Sequence, residues 1–452
     1  MKLLVKFFNI GSLSLISLLL LFTRPFVGLS IFGYRFGELL VVFGFLISIF
    51  STFVLLYKPL RIKFELSNTV QLIFSAILIS FYVSVFLYNT NLFASYTYKM
   101  SSYIWSAGYL LFGIYLSQEF FVNRKNRVFL LMIILPLPFI HYFFSTGYYP
   151  NFIIDFFKIN SDKFEFTKAS DIMLTYVVSS IFSLKYVKSK NFNICYIYVA
   201  AGILLPLLMF MSRGSFMGAL LFLLIFSLYN LSFFRSNVKK SIILITITSI
   251  VFVLSTYNVN GTEINYSFNF GEEEVQTGSN LSITENIKEI ARKDEQRNAF
   301  LSLYYDNGRI YSLDQTTNWR LDIWQDVIED ISSKSLIFKG YGYNEIIPVM
   351  TDPSAPGRLG RDGLNEHVHN YFVNIFARGG IFQFLLFMLF HLSIILIWKK
   401  KYNNYTIILL TIPVFFTSGL DMSMEGVQFP VVFYLFLAFL IQNGFEVKIK
   451  NN

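Results

Sequence analysis

The sequence predicts an all-α integral membrane protein with about twelve transmembrane helices and one large, partly helical outer loop between spans 9 and 10. Three observations carry this. Hydrophobic residues make up 54% of the 452 positions and charged residues only 14%, far too apolar for a soluble globule of this size. Twelve apolar stretches approach the ~20 residues that a helix needs to cross a bilayer. The linkers between them alternate in charge, which supplies an orientation as well as a count.

The stretches lie near 7–23, 37–57, 68–88, 102–121, 128–145, 170–187, 192–211, 214–234, 241–257, 379–398, 404–420 and 427–443. The first follows Lys2 and Lys6 as a signal peptide would. No small-residue cleavage site precedes Thr23, Arg24 and Pro25, so it reads as an uncleaved span. Cys195 is the only cysteine, which excludes an internal disulfide and a multi-cysteine metal site. It is expected to pack within a span.

Every second linker is basic. Lys2 and Lys6 begin the series; Lys58, Arg61 and Lys63, then Arg124, Lys125 and Arg127, then Lys185, Lys188 and Lys190 continue it; Arg235, Lys239 and Lys240, Lys399 to Lys401, and Lys448 and Lys450 complete it. Nineteen of the 37 basic residues thus fall on one side. The positive-inside rule makes that side cytoplasmic, with both termini inside a bacterial inner membrane. The chain divides into spans 1–9 over residues 1–257, an outer cap loop over 258–368, and spans 10–12 over 369–452. The cap carries 18 acidic against 10 basic residues. The formal charge of +9 is therefore a topology signal, and a nucleic-acid partner loses its main support.

Within the cap, 271–280 with Glu272 to Glu274 reads as flexible. Two helical patterns follow, Ile283 to Tyr304 and Trp319 to Ile331, the second with Trp324, Val327, Ile328 and Ile331 on one face. Gly340 to Tyr343 reads as a turn after it.

The candidate chemistry gathers at the outer boundary. Arg213, in Met211-Ser212-Arg213-Gly214-Ser215, occupies a tight link between two spans, where its planar fork suits a phosphate group or snorkels to the interface. Arg320 opens the second cap helix, with Trp324 one turn on; taken alone, a local salt bridge or cation–π contact explains it. Two of the four histidines, His367 and His369, sit where the cap meets span 10, and a histidine there can take a proton from a hydroxyl near neutral pH or simply hydrogen-bond. With Glu366 and Asp362 they form only a weak pattern for metal binding, and no metal site is assigned. His141 and His391 fall in apolar spans and read as packed. Glu38, Asp171, Asp421 and Glu425 lie near outer span ends, the last two expected in solvent. No P-loop, dinucleotide fingerprint or nucleophile elbow occurs, and no cofactor is indicated.

Ser212-Arg213-Gly214, Arg320 and Trp324 followed by Gly340 and Gly342, and His369-Asn370 with glycines about ten residues later together resemble the O-antigen polymerase and O-antigen ligase superfamily over residues 195–400. The ligase spacing would set a further glycine at position 383, where this chain has Gln383. The resemblance implies a GT-C-like, metal-independent glycosyltransferase. It would move a glycan from undecaprenyl diphosphate to a sugar hydroxyl on the periplasmic face. Arg213 and Arg320 would bind the diphosphate, His369 would act as base or orient the acceptor, and Asn370, His367 and Trp324 would be accessory. The implied partners are lipid-linked oligosaccharide donor and acceptor, the bilayer, and a chain-length regulator protein.

A polymerase joining repeat units is the first reading and an O-antigen ligase acting on lipid A core the alternative. A secondary transporter or lipid-linked oligosaccharide flippase is more distant, because such proteins carry polar groups near the bilayer midplane and the charges here gather at the outer boundary.

Overall fold

Each of the twelve apolar stretches overlaps helix in the computed structural model, which describes residues 2–56, 67–117, 124–146, 148–163, 167–259, 303–355, 357–359 and 366–445. Helix α1 (Lys2–Val27) leads into a short antiparallel hairpin of β1 (Ser30–Ile31) and β2 (Tyr34–Arg35). There follow α2 (Phe36–Leu56), α3 (Ser67–Leu87), α4 (Ser95–Met100), α5 (Ser102–Ser117), α6 (Arg124–Ile134), α7 (Leu137–Ser145) and α8 (Asn151–Asn160). Next come α9 (Ala169–Tyr186), α10 (Lys190–Met211), α11 (Arg213–Tyr229), α12 (Leu231–Ser236) and α13 (Val238–Val259). After the cap hairpin, β3 (Leu303–Asp306) and β4 (Arg309–Ser312), come α14 (Gln315–Ser333), α15 (Tyr371–Tyr402), α16 (Ile408–Ser418) and α17 (Gln428–Asn443). Among the described residues six helical segments are long and apolar enough to cross a membrane, from Phe36–Phe53 to Tyr371–Tyr402; other apolar helices are shorter.

The last helix is the most enclosed. Every residue of α17 from Gln428 to Ile441 is buried, which is why it reads as apolar on all faces. Small residues bring neighbours close: a Cβ on Gly113 of α5 would lie 2.7 Å from the Ala438 Cβ of α17. Substitution there would push these two helices apart.

Helix α15 is broken at Gly380, whose φ of 70° lies outside helical space. The break frees carbonyls that must find other donors. They find them in the Gly340–Tyr343 turn, where Tyr341 N donates to Ala377 O at 2.7 Å and Gly342 N to Arg378 O at 3.0 Å. Both turn glycines have positive φ, as the sequence pattern requires. Arg378 fixes the turn further, donating to Glu345 O at 2.6 Å from a fully buried position.

The cap has its own small core. Ile323, Val327 and Ile331 of α14 pack on Ile347, Met350 and Val368. Asn307 and Gly308, both with positive φ, make the tight turn of the β3–β4 hairpin. Gln325 of α14 then holds β4, accepting from Ile310 N at 2.6 Å and donating to Ile310 O at 2.8 Å.

Two expectations are corrected. Leu303 and Tyr304, assigned to the first cap helix, are strand, because the Asn307-Gly308 turn pairs them with β4. Residues 283–302, the 271–280 stretch and Asp362 lie outside the described residues. Cys195 is exposed on α10 rather than packed, since Ile194, Tyr196 and Ile197 take the inward positions around it.

Candidate active site

Two helix junctions, the start of α14 and the α16–α17 loop converge at one place. At the first junction, α10 ends and α11 begins at Ser212, whose extended backbone caps both helices. Arg213 is thereby the first residue of α11. Its Nη1 lies 3.2 Å from Asp314 Oδ1.

Asp314 is the N-cap of α14. Its Oδ2 accepts from Thr317 N at 2.8 Å and from Thr317 Oγ1 at 2.5 Å, leaving Oδ1 for Arg213. The residue is only 3% exposed, so the pair is shielded from solvent screening on the carboxylate side.

Arg320 lies farther along the same helix. Its Nη1 donates to the Leu420 carbonyl in the α16–α17 loop. Gly214 touches Leu420 from the other side: a Cβ on it would stand 3.0 Å from the Leu420 Cβ. The junction that carries Arg213 and the helix that carries Arg320 therefore meet on one residue. Burial lowers the Arg320 guanidinium from its ordinary range, and the nearby carboxylates of Asp421 and Asp314 oppose that shift. Its Nε has no hydrogen-bond partner among the described residues.

His369 closes the group. Its backbone is left-handed at φ 54°, a conformation that histidine adopts more readily than most residues, and its ring meets Trp319 edge-on at 5.2 Å. Burial first, and then the positive charge of Arg320, pull the imidazole down to about 4. It is neutral at physiological pH and able to accept a hydrogen bond. Asp421 and Lys168 also act on it.

The three leading sequence candidates, Arg213, Arg320 and His369, are thus gathered around Asp314, Leu420 and Asp421. Two of the accessory candidates, Asn370 and Trp324, make structural hydrogen bonds. Asn370 caps α15, its Oδ1 accepting from Phe372 N at 3.0 Å and Val373 N at 3.1 Å. Trp324 Nε1 donates to Val368 O at 2.7 Å, tying the cap helix to the segment before His369. His367 is buried, its Nδ1 without a partner among the described residues, and burial with Arg378 pulls it down to about 3. Glu366 pairs with Lys99 at 2.5 Å.

Among the outer carboxylates, Glu38 is exposed and accepts from Arg35 N at 3.0 Å, while Asp171 accepts from Gln428 Nε2 at 3.4 Å. Glu425, expected in solvent, is instead buried, because the short loop that carries it folds inward over α5 and α15. Asp421 is half-buried and faces Arg320 and His369. The site residues that sequence reasoning missed are Asp314, Trp319, Leu420 and Lys168. Only Asp314 had a signal, an acidic residue just before a helical pattern at N-cap spacing. A backbone carbonyl and a lone lysine carry none.

The segment holding all three candidates is the part of the chain that matches a known family. Residues 198–388 match the family model for O-antigen ligase. The match agrees with the O-antigen polymerase and ligase superfamily, and it implies a function of ligase or polymerase type. Together with the apolar helices it suggests a multi-pass membrane protein with a glycosyltransferase-like activity. No curated protein matches the chain. The matched segment begins inside α10 and ends in α15, past the Gly380 break.

Gln383, where the ligase spacing would set a glycine, is fully buried in this segment. Its Oε1 accepts from Tyr103 at 2.9 Å and Tyr343 at 2.5 Å, and its Nε2 donates to Ser80 Oγ at 3.2 Å. The amide fills with hydrogen bonds the room that a glycine would leave.

Proposed function

We propose that this protein is an inner-membrane polysaccharide polymerase with about twelve spans, its cap and active site facing the periplasm. It would transfer a glycan from undecaprenyl diphosphate to a sugar hydroxyl of a second lipid-linked repeat, building O-antigen or capsular chains. The observation that carries this reading is the approach of the Arg213–Gly214 junction and of Arg320 to the same loop residue, Leu420, through Gly214 and the Arg320 guanidinium respectively, with a neutral His369 near Arg320.

The chemistry follows from charge. A departing diphosphate concentrates negative charge, and two guanidinium forks stabilise it without a metal ion. The buried Nε of Arg320 has no hydrogen-bond partner among the described residues and is a donor for such an anion. Arg213 is held by Asp314 before substrate arrives, so less ordering is needed on binding. His369 takes or orients the acceptor hydroxyl, and Trp319 against its ring offers a face for a sugar. The apolar spans would accommodate the polyprenyl tail, and a chain-length regulator is a further partner of this reading.

Ligation to lipid A core is the competing assignment. Deleting the gene should leave single-repeat lipopolysaccharide if the protein is a polymerase; loss of all repeats from the core would assign it as a ligase. Purified protein given lipid-linked repeats should lengthen them without added metal, and a transporter or flippase would leave their length unchanged.

A further inference from the structure

One acidic side chain at this site has no structural work to do. Glu425 sits five residues after Leu420 in the loop between α16 and α17 and is only 5% exposed. Neither carboxylate oxygen accepts a hydrogen bond from another described residue. Its backbone is held, since Ser102 Oγ donates to the Glu425 carbonyl at 3.1 Å. The groups that face its side chain are Asp421 on its own loop, Lys168 at the start of α9, Tyr103 of α5 and Tyr371 of α15. Asp421 and Lys168 are the same two charges that act on His369. Glu425 and His369 therefore feel the same lysine and aspartate, and Glu425 shares its loop with Leu420, the residue that Arg320 holds.

A buried carboxyl without partners is costly to keep. Its retention here has an explanation if a ligand hydroxyl supplies the missing hydrogen bond. We propose that Glu425 is a further catalytic residue of the transfer, the carboxylate that accepts the proton of the acceptor sugar hydroxyl while His369 orients that hydroxyl. The inference rests on the polymerase or ligase reading above. In the step, the acceptor oxygen forms a bond to the anomeric carbon as the bond from that carbon to the diphosphate oxygen breaks. The bonding pair leaves with the diphosphate, held by Arg213 and Arg320, and the acceptor proton passes to Glu425. Burial first, and then Asp421, push this carboxyl up to about 8, against the pull of its own amide and of Lys168. A base titrating there gains strength through the neutral range.

The test uses the full-length protein purified in detergent with lipid-linked repeat units as donor and acceptor. Glu425→Gln should lower kcat by about 10²- to 10⁴-fold, the range for loss of a general base, with the KM for donor little changed. Wild-type kcat should rise from about pH 6 through a midpoint near 8 and level above about 9, and Glu425→Asp should keep a rise that Glu425→Gln lacks. A Glu425→Gln enzyme with wild-type kcat, or with the pH rise intact, overturns the proposal. If Glu425→Gln does not fold, the wild-type profile decides, and a kcat flat across that range overturns it. Absence of transfer by wild-type protein would overturn the functional reading as a whole, whereas wild-type transfer indifferent to Glu425 overturns this inference alone.

Discussion

Asp314 caps helix α14 with one carboxylate oxygen and holds Arg213, 101 positions earlier in the chain, with the other at 3.2 Å. The pair fixes the start of the cap helix to the α10–α11 junction, and so sets where Arg320 stands.

The two roles of Asp314 separate by substitution. Asp314→Asn keeps a good cap and removes the charge; Asp314→Ala removes both. The alanine variant should lose about 1–2 kcal/mol and the asparagine variant clearly less, read as thermal unfolding in detergent. Equal losses would mean that the ion pair, not the cap, anchors α14.

The arginines are predicted to act as one unit. Arg213→Ala and Arg320→Ala should each lower turnover by about 10²- to 10³-fold, as removal of a charge-stabilising donor does. Lysine at either position should recover only part, having lost the planar fork. If both hold the same diphosphate, the double variant should be little worse than either single one, because removing one leaves the other misdirected. Fully multiplicative losses would argue for two separate anion sites.

Much of this arrangement was legible in the sequence. Apolar stretches marked each of the six described helical segments long enough to cross a membrane, because a helix facing lipid needs continuous hydrophobicity, Arg213 and His369 stood out as charged or titratable groups at an apolar boundary, and Arg320 entered through the family resemblance. Asp314 and Glu425 did not stand out. Both depend on the tertiary fold, one for its ion pair with an arginine a hundred residues away and the other for its burial in a loop expected in solvent, and no local period encodes either. The strand at Leu303 and Tyr304 was missed because an Asn-Gly turn and a partner strand overrode a helical pattern.

The two boundary histidines should differ in kind. Both are depressed below the ordinary histidine value, His367 to about 3 and His369 to about 4, with burial the main cause. The unfolded chain then binds protons first on acidification. The stability that neutral histidine contributes is complete above about 6.5 and is lost as pH falls toward 4. His367→Gln should therefore soften the fall in unfolding temperature between about pH 6.5 and 4 and leave turnover within about twofold. His369→Gln should lower turnover by about 10²-fold or more. A severe loss of turnover in His367→Gln with normal folding would reverse these roles.

Gln383 supplies the sharpest test of the departure from the ligase spacing. Restoring the glycine would orphan the hydroxyls of Tyr103 and Tyr343 and empty a fully buried site beside the Gly380 break. Gln383→Gly should thus destabilise by about 2–4 kcal/mol, from unpaired buried hydroxyls plus the cavity. Gln383→Leu fills the volume but not the hydrogen bonds and should fall between Gly and wild type, whereas Gln383→Glu places a charge in the same dry pocket and should be worst. Thermal unfolding of the three variants gives the order. Because Gln383 meets Tyr343, at the end of the Gly340–Tyr343 turn that satisfies the Gly380 break, loss of its amide should loosen that turn and raise hydrogen exchange at Tyr341 and Gly342. A glycine variant as stable as wild type, with those amides still protected, would show that the turn and the helix break hold each other without the amide.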